Sequence, residues 1–401
     1  MKRGIATFGL DWGKCPRWLF EKMVRLSSYL IEAICLEFGP EEFLKRISDP
    51  VWFQSFGNVL AFDWNSSGLT TTLTAALKEA IKDKEKEYGL FICGGKGKTS
   101  RKTPEEILNW AQKIGLEEKQ AKNLIYNSKM TAKVDNSLVQ DGYQIYHHSF
   151  IFYVNSPKHN PELKSWAVIQ QGMNLENSSA RRYHWYSEKI SNLIVEPHSG
   201  IIAQIPVQKP VLNLTAKESE NNRTISFQII NQQPLSAILN DFKKIEKYRN
   251  SLSQMLKLNY QNQKENFEFV DLQLKRGEFY YHEVLEEDFS KNKYLLKILG
   301  KLKTNPPRNY EEFLATEGVG PKTVRALSLI SEIIYNAPAS FKDPARYSFA
   351  HGGKDGTPYP VDKKTYNESI YILEKIIQKS KASISEKNKM LQKIKKGFDG
   401  E

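Results

Sequence analysis

Near residue 141 the apolar residues stop recurring every three to four positions and start to alternate. Across "GYQIYHHSFIFYV" and "SWAVIQQGM" the chain is rich in aromatic and β-branched side chains, and the polar turn "NSPKHNPELK" joins the two runs. Helical patterns lie on both sides. A chain that passes from helices to strands and back folds as an α+β protein, here with a central β-hairpin in its first half.

The flanking helices carry their own signals. In "WLFEKMVRLSSYLIEAIC" Leu19, Met23, Leu26, Leu30 and Ile34 share one face. "GPEEFLKRISDP" begins a helix with Pro40 in its first position and two acids in the first turn. "NSSGLTTTLTAALKEAIKDKEKEYG" reads as one helix from about Leu69 to just before Gly89. "GLFICGGKGKTSRKTPEEILNWAQKIG" reads as a short strand, a glycine–lysine loop and a helix capped by Thr103. From Leu235 the chain is helical again and ends in the lysine-rich "QKSKASISEKNKMLQKIKK". The expected organisation is an α+β domain over 1–215, a polar linker over 216–233, and a mainly α-helical domain with a basic tail over 234–401.

The 401 residues are 40% hydrophobic and 11% aromatic, enough for packed cores, and carry a formal charge of +12. That excess points to a polyanionic partner, nucleic acid before an acidic membrane. With no apolar leader and no apolar run of about 18 residues, a soluble cytoplasmic protein is expected. The three cysteines form no CxxC pair, which argues against a zinc framework or disulfide scaffold.

The most specific local signal is "EEFLATEGVGPKTVRAL", which has the form of a helix-hairpin-helix. Gly318 and Gly320 would let backbone N–H groups approach a phosphate oxygen, and the helix opening at Pro321 would aim its positive end there. Lys322, Thr323 and Arg325 complete the expected grip, which positions a backbone without reading its sequence. The "CGGKGKTSRKT" loop lacks the first glycine of a nucleotide-binding P-loop. Its Lys96, Lys98 and Arg101 still suit phosphate contact ahead of a helix. A third glycine-rich stretch, "FAHGGKDGTPYPVDKK", adds Lys354 as a further phosphate contact.

The strand region carries the densest chemistry: Asp141, His147, His148, Gln171, Arg182 and His184. Histidine as general base, with arginine against a developing phosphorane, fits phosphodiester cleavage. Asp141 would hold a divalent metal, magnesium or manganese. Adjacent strand residues face opposite ways, so only one of His147 and His148 can serve a given site. The bland alternative is a core of aromatic and histidine side chains.

The hairpin also resembles that of DNA glycosylases of the endonuclease III type, in which a G-V-G-x-K-T turn supplies a Schiff-base lysine and a following Val-Asp an aspartate. That resemblance implies Lys322 as nucleophile with Asp362. The aspartate stands much further down this chain than in that family, which favours a charge contact for Lys322. Over most of its length the sequence resembles the family known as domain of unknown function 763, found in archaea and bacteria. The likeness rests on "KRGIATFGL", "FDWNSSGLTTT", "CGGKGKTSRKTPEEI", "DGYQIYHHSFIF", "WAVIQQGMN", "RRYHWYS" and "EGVGPKTVRALSLISEIIYNAP". It implies a helix-hairpin-helix and a role in DNA processing. The expected function is a DNA-binding, structure-specific nuclease of DNA repair, with DNA favoured over RNA, repair proteins as partners and no membrane. A glycosylase/lyase and a non-catalytic nucleic-acid adaptor are the alternatives.

Overall fold

The computed structural model describes residues 15–60, 67–203, 210–250, 291–345 and 374–398, together with Phe289, Tyr371 and Ile372. The first helices are α1 (Arg17–Phe38), α2 (Pro40–Ile47), α3 (Pro50–Val59) and α4 (Ser67–Ala80). Asp49 caps α3 by accepting from the N–H groups of Val51 (2.9 Å) and Trp52 (2.8 Å). The single long helix expected before Gly89 is interrupted. Asp83 has φ 67°, and a one-turn helix α5 (Glu85–Tyr88) follows. "KDKEKE" has no apolar stripe to hold a continuous helix against the core, and aspartate tolerates the left-handed turn.

The expected hairpin forms the centre of a larger antiparallel sheet. β1 (Leu90–Lys96), β3 (Gln144–Asn155), β4 (Glu162–Asn174), β5 (Ser179–Tyr186) and β6 (His198–Ile202) lie in the order β1-β3-β4-β5-β6. A small ladder pairs β2 (Val139–Gln140) with β7 (Leu212–Asn213). One face of the large sheet packs Ile92, Ile151, Ala167 and Ile169 against Met23, Phe43, Phe53 and Leu73 of α1–α4. The other packs Phe91, Phe150, Val168 and Trp185 against α6 (Thr103–Ile114) and α7 (Glu118–Ser137). Covering both faces explains the nearly unbroken apolar run "FIFYV".

The second core does not stop at the sheet. It runs on through Ile229 and Ile230 of α8 (Glu220–Gln232), Phe242 of α9 (Leu235–Asn250), and Leu295 of α10 (Lys293–Thr304). Phe313 of α11 (Tyr310–Ala315) and Leu327 of α12 (Pro321–Ile333) complete it, and α13 (Ile384–Phe398) follows. The segment expected as a linker is therefore structural. Ser219, Asn222, Arg223 and Ser226 are buried within it, and Asn222 donates to the carbonyls of Ser328 (3.1 Å) and Ala337 (2.7 Å). Arg223 donates to those of Leu214 and Ala216 (2.7 Å each). Polar composition marks a linker only when those groups face water, and here the protein satisfies them.

Candidate functional site

The strand register sorts the expected catalytic residues onto two faces. His147 stands opposite Gln171, Gln171 opposite Arg182, and His184 opposite Ile169, so all four side chains share the face covered by α1–α4. His147 Nε2 lies 3.1 Å from the Thr74 hydroxyl, and Gln171 donates to the carbonyl of Ser67 (2.9 Å). Arg182 donates to Gln54 Oε1 (3.1 Å) and spreads its guanidinium over the Phe53 ring at 4.6 Å. His184 Nδ1 lies 3.2 Å from the carbonyl of Ser48. Each is fully buried. Burial, reinforced by His148 and Lys96, pushes His147 down to about 3. Burial and the neighbouring Arg182 carry His184 well below the ordinary imidazole range, and burial lowers Arg182 itself to about 9. Both imidazoles are neutral at physiological pH.

His148 points the other way, into a separate buried chain of hydrogen bonds. Its Nε2 meets Ser128 Oγ (2.9 Å) and its Nδ1 meets Gln170 Oε1 (3.0 Å). Gln170 Nε2 then donates to Asp135, which also takes Trp185 Nε1–H (3.0 Å) and contacts His198 Nε2 at 2.5 Å. Burial lowers His148 to about 4 and raises the Asp135 carboxyl.

Asp141 belongs to a third cluster. It accepts from Arg181 Nη1 (2.8 Å) and the Tyr183 hydroxyl (2.7 Å) on one oxygen and from the Tyr143 N–H (3.0 Å) on the other. Arg181 also forks onto Asp343 at 3.0 and 2.8 Å. Burial opposes the guanidinium charge, but Asp141 and Asp343 outweigh it and raise Arg181 above its ordinary value. With both its oxygens engaged, Asp141 does not fit the expected metal role. Among the described residues no group of three or more His, Cys, Asp and Glu could hold a metal ion. His147, His148, His184 and Asp141 thus do not share one cleft.

The accessible chemistry lies at the end of β1. Gly94 (φ 88°), Gly95 (φ 148°) and Gly97 (φ 61°) bend the chain into a 3-10 turn over Gly97–Lys102. A Cβ on Gly94 would sit 2.3 Å from the His148 carbonyl oxygen, so only glycine fits. Thr103 does not cap α6 as expected. It is the helix's first residue, and its hydroxyl donates back to the Ser100 carbonyl (2.7 Å). Glu106 clamps the bend by accepting from Gly94 N–H (2.9 Å) and from Lys78 Nζ (2.6 Å). Between this bend, α1 and α4 opens a cavity of about 700 Å³ lined by Thr71, Thr74, Lys78, Gly95, Lys96 and Ser149. Lys96 lines it, and Lys98 and Arg101 are exposed further along the same bend. Thr74 lines this cavity, and its hydroxyl meets His147. The hydroxyl run of "GLTTTLT", with Thr70 and Thr74 four apart, was the available signal for it.

The glycine turn in the second half joins α11 to α12. Gly318 has φ 91°, a Cβ there would sit 2.3 Å from Ile298 Cδ1, and its carbonyl accepts from the Tyr294 hydroxyl (3.0 Å). Gly320 is extended, with open space around it, and no side chain caps α12 there. Lys322 is exposed and Arg325 half-buried, whereas Thr323 is 1% exposed and belongs to the core rather than to a ligand surface. Lys133 of α7 donates to the Thr316 carbonyl (2.6 Å), and burial with neighbouring Lys301 lowers it to about 8. Lys354 and Asp362 lie outside the described residues.

No helix among the described residues is long and apolar enough to cross a membrane. No curated protein and no solved structure matches the chain. A family model described as "Protein of unknown function (DUF763)" matches residues 4–361, nearly the whole chain. The chain belongs to that family.

Proposed function

We propose that the protein binds nucleic acid, DNA first, through exposed glycine-bent turns that present backbone amides and lysines to phosphates. One observation carries the reading. At Gly320–Lys322 a 13-residue helix begins with no side chain capping it, open space beside Gly320 and an exposed lysine, a geometry suited to a phosphate oxygen. The net charge of +12 and the second basic bend at Lys96–Arg101 support it. Fluorescence anisotropy with labelled DNA tests it: affinity falls steeply with added salt, and Lys322→Ala weakens binding to all sequences alike. Salt-independent or undetectable binding overturns the proposal.

A second reading, phosphodiester cleavage in DNA processing, is favoured by Thr74, a residue of the cavity wall whose hydroxyl lies 3.1 Å from neutral His147. Gln171, Arg182 and His184 lie on the same sheet face as His147. Incubation with nicked, flapped and single-stranded DNA, with and without magnesium or manganese, tests this reading. Cleavage that survives Thr74→Val and His147→Gln places the chemistry elsewhere. The lyase reading rests on Lys322 with Asp362, and Asp362 lies outside the described residues.

A further inference from the structure

The turn at Gly318 is not an isolated feature of the surface. Helix α10 lies against it, with Ile298 beneath the glycine and the Tyr294 hydroxyl bonded to the glycine carbonyl. Tyr294 is 57% exposed, so its ring is anchored at the hydroxyl yet presents its faces to solvent. Lys297 lies one turn beyond Tyr294 on the same side of α10, Lys301 a further turn on, and Lys293 borders them. All three lysines are exposed. Lys301 is steered onto the turn by Glu317, donating to its carbonyl (3.2 Å) and carboxylate (3.1 Å).

We propose that α10 is a binding surface for single-stranded nucleic acid, with Tyr294 stacking an unpaired base and Lys293 and Lys297 following the adjoining phosphates. This deepens the binding proposal above and rests on it. The stripe from Lys293 to Lys301 is about 12 Å long at 1.5 Å per residue. That length covers roughly three to four nucleotides of one strand at about 3.4 Å each. Backbone contact with a duplex needs only charge, and a duplex hides the faces of its bases. A solvent-facing ring fixed among lysines offers a stacking platform that only an unpaired base can use.

The test compares the full chain and its variants on an oligothymidine strand and on a duplex of equal length, by anisotropy at several salt concentrations. Tyr294→Ala lowers affinity for the strand about tenfold and for the duplex less than about twofold. Tyr294→Phe keeps the ring, loses only the bond to Gly318, and retains most of the strand affinity. Lys293→Ala with Lys297→Ala reduces the log–log salt slope on the strand by about 1.4. Equal losses on both substrates in Tyr294→Ala, or an unchanged slope in the double lysine variant, overturn the inference while leaving general binding intact. Absence of binding by the unaltered chain overturns both.

Discussion

The sheet and the turns use polar residues in opposite ways. In the sheet, His147, His148, His184, Arg181 and Arg182 are buried, and their neutral or paired state is set by burial and by fixed partners. At the Gly94–Lys102 bend and the Gly318–Lys322 turn, the backbone is bent by glycine and the lysines stand in water. The same residue types therefore mean different things. A histidine inside a two-sided sheet specifies packing and hydrogen bonding, whereas a lysine on a glycine turn is exposed to solvent. Thr74 is the place where the two regimes meet, a residue of the cavity wall whose hydroxyl meets a buried imidazole.

The largest effect that sharpens this contrast is on acid stability. His147 and His148 stay neutral in the fold down to about 3 and 4, while in the unfolded chain each takes a proton near 6.5. Below that value the unfolded state binds more protons, so stability is full above about pH 7 and falls as pH drops toward 4. Each histidine contributes roughly 1.4 kcal/mol per pH unit in that window, or about 3 kcal/mol across it. The buried Asp135, whose carboxyl is raised, partly offsets the loss. Urea unfolding across that range checks the slope, and a flat profile would mean that the histidines are not buried as described.

Next comes Arg181→Met, which leaves Asp141 and Asp343 without their shared cation. Removing one partner of a buried pair costs about 3–5 kcal/mol, readable as a lowered urea midpoint. A loss under about 1 kcal/mol would show the cluster to be solvated. Gly94→Ala forces a Cβ against the His148 carbonyl oxygen at a positive φ. It should cost roughly 1–3 kcal/mol and disturb the basic bend. The smallest stability effect belongs to Lys98→Ala with Arg101→Ala: within about 0.5 kcal/mol of the parent, but with a duplex-binding salt slope shallower by about 1.8. If that variant unfolds readily and binds normally, the division between structural interior and ligand-binding turns fails.

Much of this was legible in the sequence, for identifiable reasons. The period change at residue 141 located β3 and β4, and the stripe from Leu19 to Ile34 located α1, because both signals are local. Strands β5 and β6 were not anticipated, since "ARRYHWYSE" and "VEPHSG" hide their alternation among buried polar residues. The segment 216–233 misled for the same reason: Asn222 and Ser226 look like linker residues until their partners in distant parts of the chain are seen, and Arg223 until its bonds to the preceding loop are. Among the candidate site residues, the alternation rule separated His147 from His148. The assignment of Asp141 to Arg181 and Asp343, and of His147 to Thr74, depends on contacts between positions far apart in sequence. No local pattern encodes those contacts.

In the proposed function, exposed basic turns and not the buried histidine clusters hold a nucleic acid. The most direct measurement is the salt dependence of DNA affinity for three proteins: the parent chain, Lys98→Ala/Arg101→Ala/Lys322→Ala, and His184→Gln. The account predicts a steep slope for the parent, a slope shallower by about 2.7 for the triple variant, and a parental slope for folded His184→Gln. A parental slope in the triple variant, or lost binding in folded His184→Gln, would contradict it.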